Sequence, residues 1–410
     1  MKILFLTPYV PLPPNFGGAM RVYYLLKGLS QNHEVTFLTF GNKDKVDLLN
    51  KNVGLLYKDY YLVKPTWAWK YRRLAQLFAL LTSKSFFSLF TKSKEMQAKI
   101  NEILSLQDFD IIQMEFPIMG CFHFRSRAMK ILDEHNIEYD NFYRMWKKTK
   151  SPLIKLHYKR EFTKSRMEEI NVCKKMDAIL TVSGKDKSIL QKEIPGIPKF
   201  IIPNGVDVEY FKPSPQKIEP YSMVFTGMMA YMPNHDGMNY FLDEIFPLIL
   251  KQIPEAKIYI VGNRPPKNLK KRSSKNIIIT GFVPDVRSYV WHACLYVVPL
   301  RMGGGTRLKV LEALAMKKTV VSTTIGSEGI EVINNESVLI ADEAEDFANK
   351  SVRILKNPES GENLAARGFD LVCSKYSWEV VTQKLEEAHQ NILYEKTGTL
   401  NTNMLIERTG

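Results

Sequence analysis

The chain has 410 residues, too long for one hydrophobic core, which suggests two or three domains. Its 45% hydrophobic and 24% charged residues exclude disorder and collagen-like repeats. The net charge of +14 comes from residues 1–200, which hold 33 basic and 19 acidic residues, whereas the remainder holds 24 of each. This asymmetry predicts an anionic partner for the first half. Nucleic acid is not expected, because helix-turn-helix, zinc-finger and RNP patterns are missing.

The first half contains short apolar runs that alternate with helical stretches. They predict strands at 2–7, 34–40, 110–114, 129–133, 177–183 and 200–205. The second half repeats the pattern, with predicted strands at 223–227, 257–262, 277–281, 295–300, 319–323 and 337–341. Short Val/Ile/Leu runs between helices indicate buried parallel strands with helical crossovers. We therefore predict an α/β protein of two Rossmann-like, doubly wound domains that face each other across a ligand cleft.

The predicted domain boundaries follow the composition. The N-terminal domain is expected at 1–205, and a linker at 206–222, where Pro, Lys and polar residues cluster. The C-terminal domain is expected at 223–375. A final helix at 376–396 is a candidate to cross back to the N-terminal domain, and a flexible tail is expected at 397–410.

Neither a metal site nor a membrane span is predicted. The four cysteines have no paired spacing of the zinc or redox kind, which indicates a reducing compartment. An Asp-x-Asp pattern at 108–110 precedes its strand instead of following it, so we interpret it as a turn. No stretch approaches the roughly 18 apolar residues of a membrane span. We expect a cytoplasmic protein.

Three glycines end predicted strands in the second half: Gly227, Gly262 and Gly281. A tight turn with positive φ would explain any single one of them. Three strand ends in one domain also fit a rim that faces a ligand.

Two glycine-rich segments are candidate phosphate sites. Gly17 and Gly18 open a predicted helix after the first strand, where backbone N–H groups can bind an anion, although loop capping is a commoner use of such a pair. Gly303, Gly304 and Gly305, followed by Thr306, precede a helix that carries Arg307, Lys309 and Glu312. Glycines allow close backbone approach, cations suit a diphosphate, and a carboxylate can accept from a ribose diol. Glu312 could instead be an exposed helix residue, but it sits in the apolar run VLEALA.

Two further residues follow strands in the first half. His135 comes after strand 129–133, and either a functional role or a hydrogen-bonded core position would account for it. Asp133 and Glu134 could orient His135 or raise its pKa. Glu115 follows strand 110–114 and is a candidate to contact an acceptor.

Taken together, these motifs resemble those of glycosyltransferase family 4, of GT-B fold. The resemblance covers nearly the whole chain and rests on GG-x2-R near the start, DEHN, PNGVD, FTGMMAYMPNHDG at 225–237, GGGTRLKVLEALA and YSWEVVTQKLEEAH. More narrowly, the chain is similar to a bacterial exopolysaccharide-type subgroup with the GGGTRLK motif.

The resemblance implies a retaining transfer of a sugar from a nucleotide diphosphate sugar, a co-substrate, with no cofactor or obligatory metal. The donor would bind the C-terminal domain and a glycan or lipid-linked acceptor the N-terminal one. By motif position, Glu312 would hold the ribose, Gly17 and Gly18 would approach the donor phosphates, and His135 would lie near the reaction centre. Val283 falls where the family's backbone meets the base.

The chain departs from the family pattern at two places. Gly304 stands where the family has a first Glu, which puts the contacts to the donor sugar in question. Met228 occupies the position of an Arg that follows the first strand of the C-terminal domain, and a nearby Lys is also missing. We infer that Arg307 and Lys309 supply the missing charge.

The segment 64–94 is the most basic part of the first half. It contains seven Lys or Arg, no acidic residue, and interleaved Trp and Phe. This composition suits an anionic membrane surface. A helix packed on its own domain with a solvated charged face is the alternative.

The sequence as a whole predicts a hexosyltransferase of the retaining type that acts in cell-surface polysaccharide synthesis, cytoplasmic and peripheral at the inner face of the membrane. A nucleotide-sugar 2-epimerase of the same fold and a non-catalytic nucleotide-binding subunit of a polysaccharide assembly system are the alternatives.

Overall fold

A computed structural model describes residues 1–12, 16–44, 47, 58–66, 71, 74, 82, 85, 93–149 and 151–397. The chain divides into two compact units. The first comprises Met1–Ile202 and the residues from Thr382 onward, and the second comprises Pro203–Val381. Most of segment 64–94, including all its Trp and Phe residues, lies outside the described residues.

The first unit contains a seven-stranded sheet in which all paired strands are parallel. Its strands are β1 (Lys2–Thr7), β2 (Glu34–Phe40), β3 (Asp59–Val63), β4 (Ile111–Glu115), β5 (Met129–Glu134), β6 (Ala178–Thr181) and β7 (Lys199–Ile201). They are ordered β3-β2-β1-β4-β5-β6-β7. The described helices of this unit are Gly17–Asn32, Lys94–Leu106, Glu138–Lys148, Pro152–Cys173, Gly184–Glu193 and most of Trp378–Thr397. A 3₁₀ turn covers Pro117–Cys121.

The second unit contains a six-stranded parallel sheet ordered β10-β9-β8-β11-β12-β13. Its strands are β8 (Glu219–Thr226), β9 (Lys257–Val261), β10 (Ile277–Gly281), β11 (Ala293–Val298), β12 (Val320–Ser322) and β13 (Leu339–Ile340). Its helices are Met232–Tyr240, Phe246–Gln252, Lys267–Lys270, Arg287–His292, Leu308–Ala315, Ala344–Lys356 and Glu362–Lys375, with a π-helical turn at Phe241–Ile245 and 3₁₀ turns at Ile325–Ser327 and Pro358–Gly361. The predicted α/β class with two Rossmann-like units is confirmed.

The sheets form because the apolar runs are covered on both faces. In β1 the four residues from Ile3 to Leu6 are fully buried, and in β11 all six residues are buried. Alternating side chains of a strand point to opposite faces, so a continuously apolar strand needs helices on both sides. Both sheets reverse their strand order beside the first strand of the unit, where ligands bind in open α/β folds.

The structure differs from the predicted strands at several ends and in one whole element. β3 was not predicted, because its sequence DYYLV is short and only partly apolar, as suits an edge strand that is mostly half-buried. β8 begins at Glu219 instead of residue 223, and β7 ends at Ile201 instead of residue 205. Asp108 and Phe109 lie outside any helix or strand and Asp110 forms a bend, so this segment precedes β4, as the sequence indicated.

The last helix begins in the second unit and contributes its larger part to the first. The Asn32 side-chain amide donates to Glu386 at 3.0 Å, and His33 Nε2 lies 3.2 Å from the same carboxylate. A Cβ at Gly28 would lie 2.3 Å from the Thr382 side chain, so this glycine allows the two helices to approach closely. Among the residues that the structure describes, no helix is both long and apolar enough to cross a membrane.

Candidate active site

A first candidate site lies in the first unit, at the carboxyl ends of β4 and β5. Glu115 is the last residue of β4, and His135 directly follows β5. Glu115 Oε2 lies 2.7 Å from His135 Nε2. The two residues that the sequence predicted as catalytic are therefore in direct contact.

Glu115 is completely buried, and both of its oxygens have partners. The Gln113 amide donates to Oε1 at 2.7 Å, while Oε2 faces His135. In the structure the Glu115 carboxylate contacts Gln113 and His135, a contact that fixes the orientation of the imidazole ring. A contact between Glu115 and an acceptor stays a prediction.

Gln113 extends this contact to the last helix. Because the Gln113 amide nitrogen donates to Glu115, its oxygen is left to accept from His389 Nε2 at 2.8 Å. Gln113 and His389 are both fully buried. A chain of three buried hydrogen bonds thus joins His389 to His135 within the first unit.

His135 is neutral at physiological pH. Burial lowers the pKa of His135 to about 3, against the opposing effect of Asp133. Asp133 does act to raise this pKa, as the sequence suggested, but desolvation of the imidazolium outweighs its effect and the net shift is downward. Burial also raises the pKa of Glu115 to about 7. His135 Nδ1 is buried and has no hydrogen-bond partner among the described residues.

Phe116 packs against His135, and Tyr9 packs on Phe116. The Phe116 ring is tilted against the imidazole, with ring centroids 3.8 Å apart, and Phe116 adopts a positive φ of 73°. Non-glycine residues rarely adopt this conformation, and backbone strain of this kind concentrates at functional sites. Tyr9 packs on Phe116 at 5.8 Å, and its buried hydroxyl has no partner among the described residues. Burial and the Glu115 charge raise the pKa of Tyr9, which keeps the hydroxyl protonated.

An internal ion pair supports the same corner of the sheet. Arg21, on the first helix, donates from Nε and Nη2 to the two Asp133 oxygens at 2.8 and 2.9 Å. Both side chains are almost completely buried. Three ligand atoms, one each from Glu115, Asp133 and His135, lie within 4.8 Å of one another, a spacing that could hold a cation. Arg21 already donates to both oxygens of Asp133. That this site binds no metal stays our prediction.

Gly17 and Gly18 begin the helix Gly17–Asn32, as the sequence predicted. A Cβ at Gly18 would lie 2.7 Å from the Tyr9 hydroxyl and 3.0 Å from the Phe116 ring. The glycine therefore brings the start of the helix close to the residues around His135. No acidic side chain occupies the first turn, so its N–H groups present a positive end.

A second candidate site lies in the other unit, at the ends of β8, β9 and β10. Gly227, Gly262 and Gly281 all have positive φ, at 148°, 149° and 72°. A Cβ at Gly262 would lie 1.8 Å from the Gly227 carbonyl oxygen. Both the turn and the close approach therefore require glycine at this rim.

Lys309 brings a cation to the rim. Its Nζ donates to Asn234 Oδ1 at 2.7 Å and lies 4.0 Å from the centre of the Phe225 ring. A Cβ at Gly227 would lie 2.8 Å from the same Nζ. Lys309 thus reaches the end of β8, near the place where Met228 replaces the family's Arg. Within the described part of the chain, no carboxylate oxygen lies within 4 Å of Nζ, and burial lowers the pKa of Lys309 to about 7.

Arg307 has a different position from the one that the sequence suggested. It precedes the helix Leu308–Ala315, is buried, and donates to the Gly304 and Ile325 carbonyl oxygens at 2.5 and 3.2 Å. Its Nη2 also lies 3.5 Å from Glu328. Arg307 therefore fixes the glycine loop, in which Gly303 and Gly305 have positive φ. The buried Thr306 hydroxyl has no partner among the described residues.

Glu312 lies one turn beyond Lys309 on the same helix. It is half-buried, and among the described residues no hydrogen bond is donated to its carboxylate. Burial raises the pKa of Glu312 to about 7, against the effect of Lys309. A carboxylate with open acceptor positions can bind a diol. Val283 lies two residues after β10 and packs partly buried against the core.

Sequence reasoning missed Arg21, Gln113, Asn234 and Tyr9. Asn234 lies in the quoted motif PNHDG, and Arg21 is the Arg of GG-x2-R, so a signal was present for both. Gln113 is a polar residue inside an apolar strand, which is a signal for a buried hydrogen bond. Tyr9 shows no pattern beyond its place after the first strand.

Comparison with known proteins matches both units to glycosyltransferases. The family model "Glycosyltransferase Family 4" matches residues 17–210, and "Glycosyl transferases group 1" matches residues 220–357. An uncharacterized 44.6 kDa protein of the cps region of Klebsiella pneumoniae is 24% identical over 391 residues, which are 92% of this chain and 96% of that protein.

Two further proteins are similar. The UDP-Gal:α-D-GlcNAc-diphosphoundecaprenol α-1,3-galactosyltransferase of Escherichia coli is 26% identical over 255 residues, 55% of this chain and 62% of that enzyme. The crystal structure of Anabaena HepE in complex with UDP superimposes with a TM-score of 0.68 at 14% identity, covering 95% of this chain and 99% of that one. The fold, its glycine-lined rim and the two family matches agree, and the chain belongs to the family 4 (group 1) glycosyltransferases of GT-B fold.

Proposed function

We propose that this glycosyltransferase moves a hexose, with retention of configuration, from a nucleotide diphosphate sugar to a lipid-linked or polysaccharide acceptor in the synthesis of a cell-surface polysaccharide. The observation that carries the proposal is the rim of the second unit, where Lys309 reaches the positive-φ turn at Gly227 and Glu312 lies one helical turn beyond Lys309. A cation suits a diphosphate, and a carboxylate with open acceptor positions suits a ribose. We propose UDP as the nucleotide, since the E. coli relative is named for UDP-Gal and HepE was crystallised with UDP.

The proposed chemistry divides the work between the two units. The bond from the sugar C1 to the diphosphate breaks with its electron pair on the diphosphate, and the acceptor oxygen forms the new bond on the same face of the sugar. The proton of the acceptor hydroxyl passes to the departing diphosphate. Lys309 stabilises the charge that develops on the diphosphate. His135, held by Glu115, hydrogen-bonds a sugar or acceptor hydroxyl through Nδ1, and the reaction needs no cofactor or metal.

The acceptor and the location are proposed from the relatives. The E. coli relative acts on a sugar linked through a diphosphate to undecaprenol, and the Klebsiella relative belongs to a cps region. A lipid-diphosphate-linked sugar at the inner face of the membrane fits the excess of basic residues in positions 1–200. The basic segment 64–94 stays a proposed contributor to this attraction.

The test begins with donor binding. Thermal unfolding is followed with UDP-, GDP- and ADP-sugars, because a ligand at about 100 times its dissociation constant stabilises a protein by about 2.7 kcal/mol. The stabilising donor is then incubated with and without a GlcNAc-diphospholipid acceptor, and the anomeric configuration of the product is read by NMR.

The result separates the three candidate functions. Transfer to the lipid with the donor's anomeric configuration supports the proposal, whereas inversion contradicts the retaining mechanism. Conversion of the free nucleotide sugar to its C2 epimer without acceptor would identify the epimerase. Binding without turnover for every donor and acceptor pair would favour the non-catalytic subunit.

A further inference from the structure

A helical hairpin on the first unit has an unusual composition at its end. The helices Glu138–Lys148 and Pro152–Cys173 are joined by a three-residue connection. We call residues 141–160, which include this connection, the hairpin tip. The tip contains seven Lys or Arg and no Asp or Glu. A solvated helical surface ordinarily mixes both signs of charge, so the tip is a local concentration of positive charge.

Aliphatic side chains stand exposed among these cations. Leu153 is 82% exposed, Leu156 54% and Ile154 49%. All three lie in the first turn or so of the second helix, beside the connection. Scattered apolar residues on a surface are normal, but three exposed aliphatic residues within four positions at the start of a helix form a patch.

The tip is held in shape by aromatic packing beneath it. The Trp146 and Phe162 rings stack with centroids 6.1 Å apart, and Tyr143 packs on Phe162 at 5.5 Å. Lys147 and Lys159, one from each helix, lie over the Trp146 ring at 4.8 and 5.7 Å. The cations of the tip are therefore presented by a fixed pair of helices.

The combination of charge and aliphatic exposure selects one kind of partner. An anionic lipid surface attracts lysines and arginines, and its boundary between headgroups and acyl chains accepts leucine and isoleucine. A nucleic acid or an anionic glycan would use the cations but would leave the aliphatic residues in water. We propose that the hairpin tip docks this protein on an anionic membrane, with Leu153, Ile154 and Leu156 inserted at the boundary of the acyl chains.

This inference rests on the proposed function in one respect only: a lipid-linked acceptor would be the reason for docking. The residues of the tip are different from those of segment 64–94 and from those named in the candidate site. Membrane docking can be measured without turnover, so its failure would leave the proposed transferase activity untouched.

The test is sedimentation of the full chain with vesicles. Wild-type protein is mixed with vesicles of phosphatidylcholine containing phosphatidylglycerol, and with vesicles of phosphatidylcholine alone. We expect binding to the anionic vesicles, release as salt is raised from about 0.1 M to about 1 M, and little binding to neutral vesicles. Failure to bind the anionic vesicles would overturn the proposal.

The first variant removes four cations of the tip by substitution with glutamine: Lys147, Lys155, Lys159 and Arg160. At the contribution expected of each cation near an anionic surface, the partition coefficient should fall by roughly 100-fold or more. A matched control variant removes four exposed lysines of the second unit in the same way: Lys267, Lys270, Lys271 and Lys275. The control has the same net charge, and we expect its binding to stay within about threefold of wild type. Equal loss in both variants would show that overall charge, not the tip, attracts the protein.

The second variant carries Leu153→Gln, Ile154→Gln and Leu156→Gln and keeps every charge. We expect at least a tenfold loss of binding to anionic vesicles, because burial of exposed aliphatic surface contributes to insertion. Unchanged binding would assign the tip to a purely ionic contact, as with a nucleic acid or an anionic glycan, and would overturn the proposal. Retention of binding by the first variant would instead assign docking to another segment. Thermal shifts with UDP should be the same in all variants, which shows that each protein is folded and that donor binding is intact.

Discussion

Removal of Arg21 should destabilise the first unit strongly. The guanidinium is 1% exposed and donates two hydrogen bonds, at 2.8 and 2.9 Å, to a carboxylate of Asp133 that is completely buried. In Arg21→Met the methionine fills much of the same space but leaves the Asp133 carboxylate without a cation and next to Glu115. Removing one partner of a buried ion pair costs about 3–5 kcal/mol, because the remaining charge stays desolvated.

Urea unfolding followed by tryptophan fluorescence measures this loss. With a slope of about 2–3 kcal/mol per M urea, the midpoint of the first unit should fall by about 1–2 M. Arg21→Lys keeps the charge but loses the two-pronged contact, so its midpoint should lie between those of wild type and Arg21→Met. The second unit does not contain the pair, and its transition serves as the internal control.

The double variant Arg21→Met/Asp133→Asn completes a thermodynamic cycle. Because it leaves no unpaired charge, it should be more stable than Arg21→Met alone, although both substitutions are at buried positions. The reasoning is refuted if Arg21→Met costs less than about 1 kcal/mol, or if the two single effects simply add.

Three further predictions concern the second unit. Glu312→Ala should weaken UDP binding by about 1–3 kcal/mol in calorimetric titration, because the ribose hydroxyls lose a buried acceptor; unchanged affinity in a folded variant would remove Glu312 from the site. Gly227→Ala should lower UDP affinity at least tenfold, since the new Cβ would lie 2.8 Å from Lys309 Nζ at a φ of 148°; wild-type affinity would show that the turn adapts. UDP affinity of the wild type should fall as pH rises from about 6 to 8, because the lowered pKa of Lys309, about 7, means that the cation is present below pH 7 and lost above it. The pKa of Glu312 is raised to about 7, so Glu312 gains its negative charge over the same interval and also contributes to the pH dependence. Lys309→Met should therefore reduce the pH dependence of UDP affinity without abolishing it. A pH profile identical to that of wild type would exclude Lys309 from the diphosphate site.

The sequence predicted the parallel sheets well because apolar strands buried on both faces leave a direct signal. It failed for β3, whose tyrosines at a sheet edge resemble those of a loop. The strand ends were also uncertain, because residues such as Ile202 stay buried beyond the last residue of the strand.

The candidate site was predicted in position more than in chemistry. His135, Glu115 and the glycine rim were identified because strand ends are visible in the sequence. The downward shift of the His135 pKa was not predicted, since it depends on how completely the surrounding side chains exclude water. Arg307 and Lys309 are two residues apart and look equivalent in the sequence. They differ only through the loop carbonyls that Arg307 meets in three dimensions.

The hydrogen bond between Gln113 and His389 has a consequence for how the protein is made. A ribosome releases the first strands of the first unit long before it has synthesised the last helix. The first unit needs this helix, because it covers Gln113 and contacts Asn32 and His33. The second unit, encoded as one uninterrupted stretch, can be complete while the first is still waiting for its final segment. The earlier-synthesised unit is thus the later one to mature. A nascent chain arrested after residue 381 should present a protected second unit and a first unit that remains sensitive to protease.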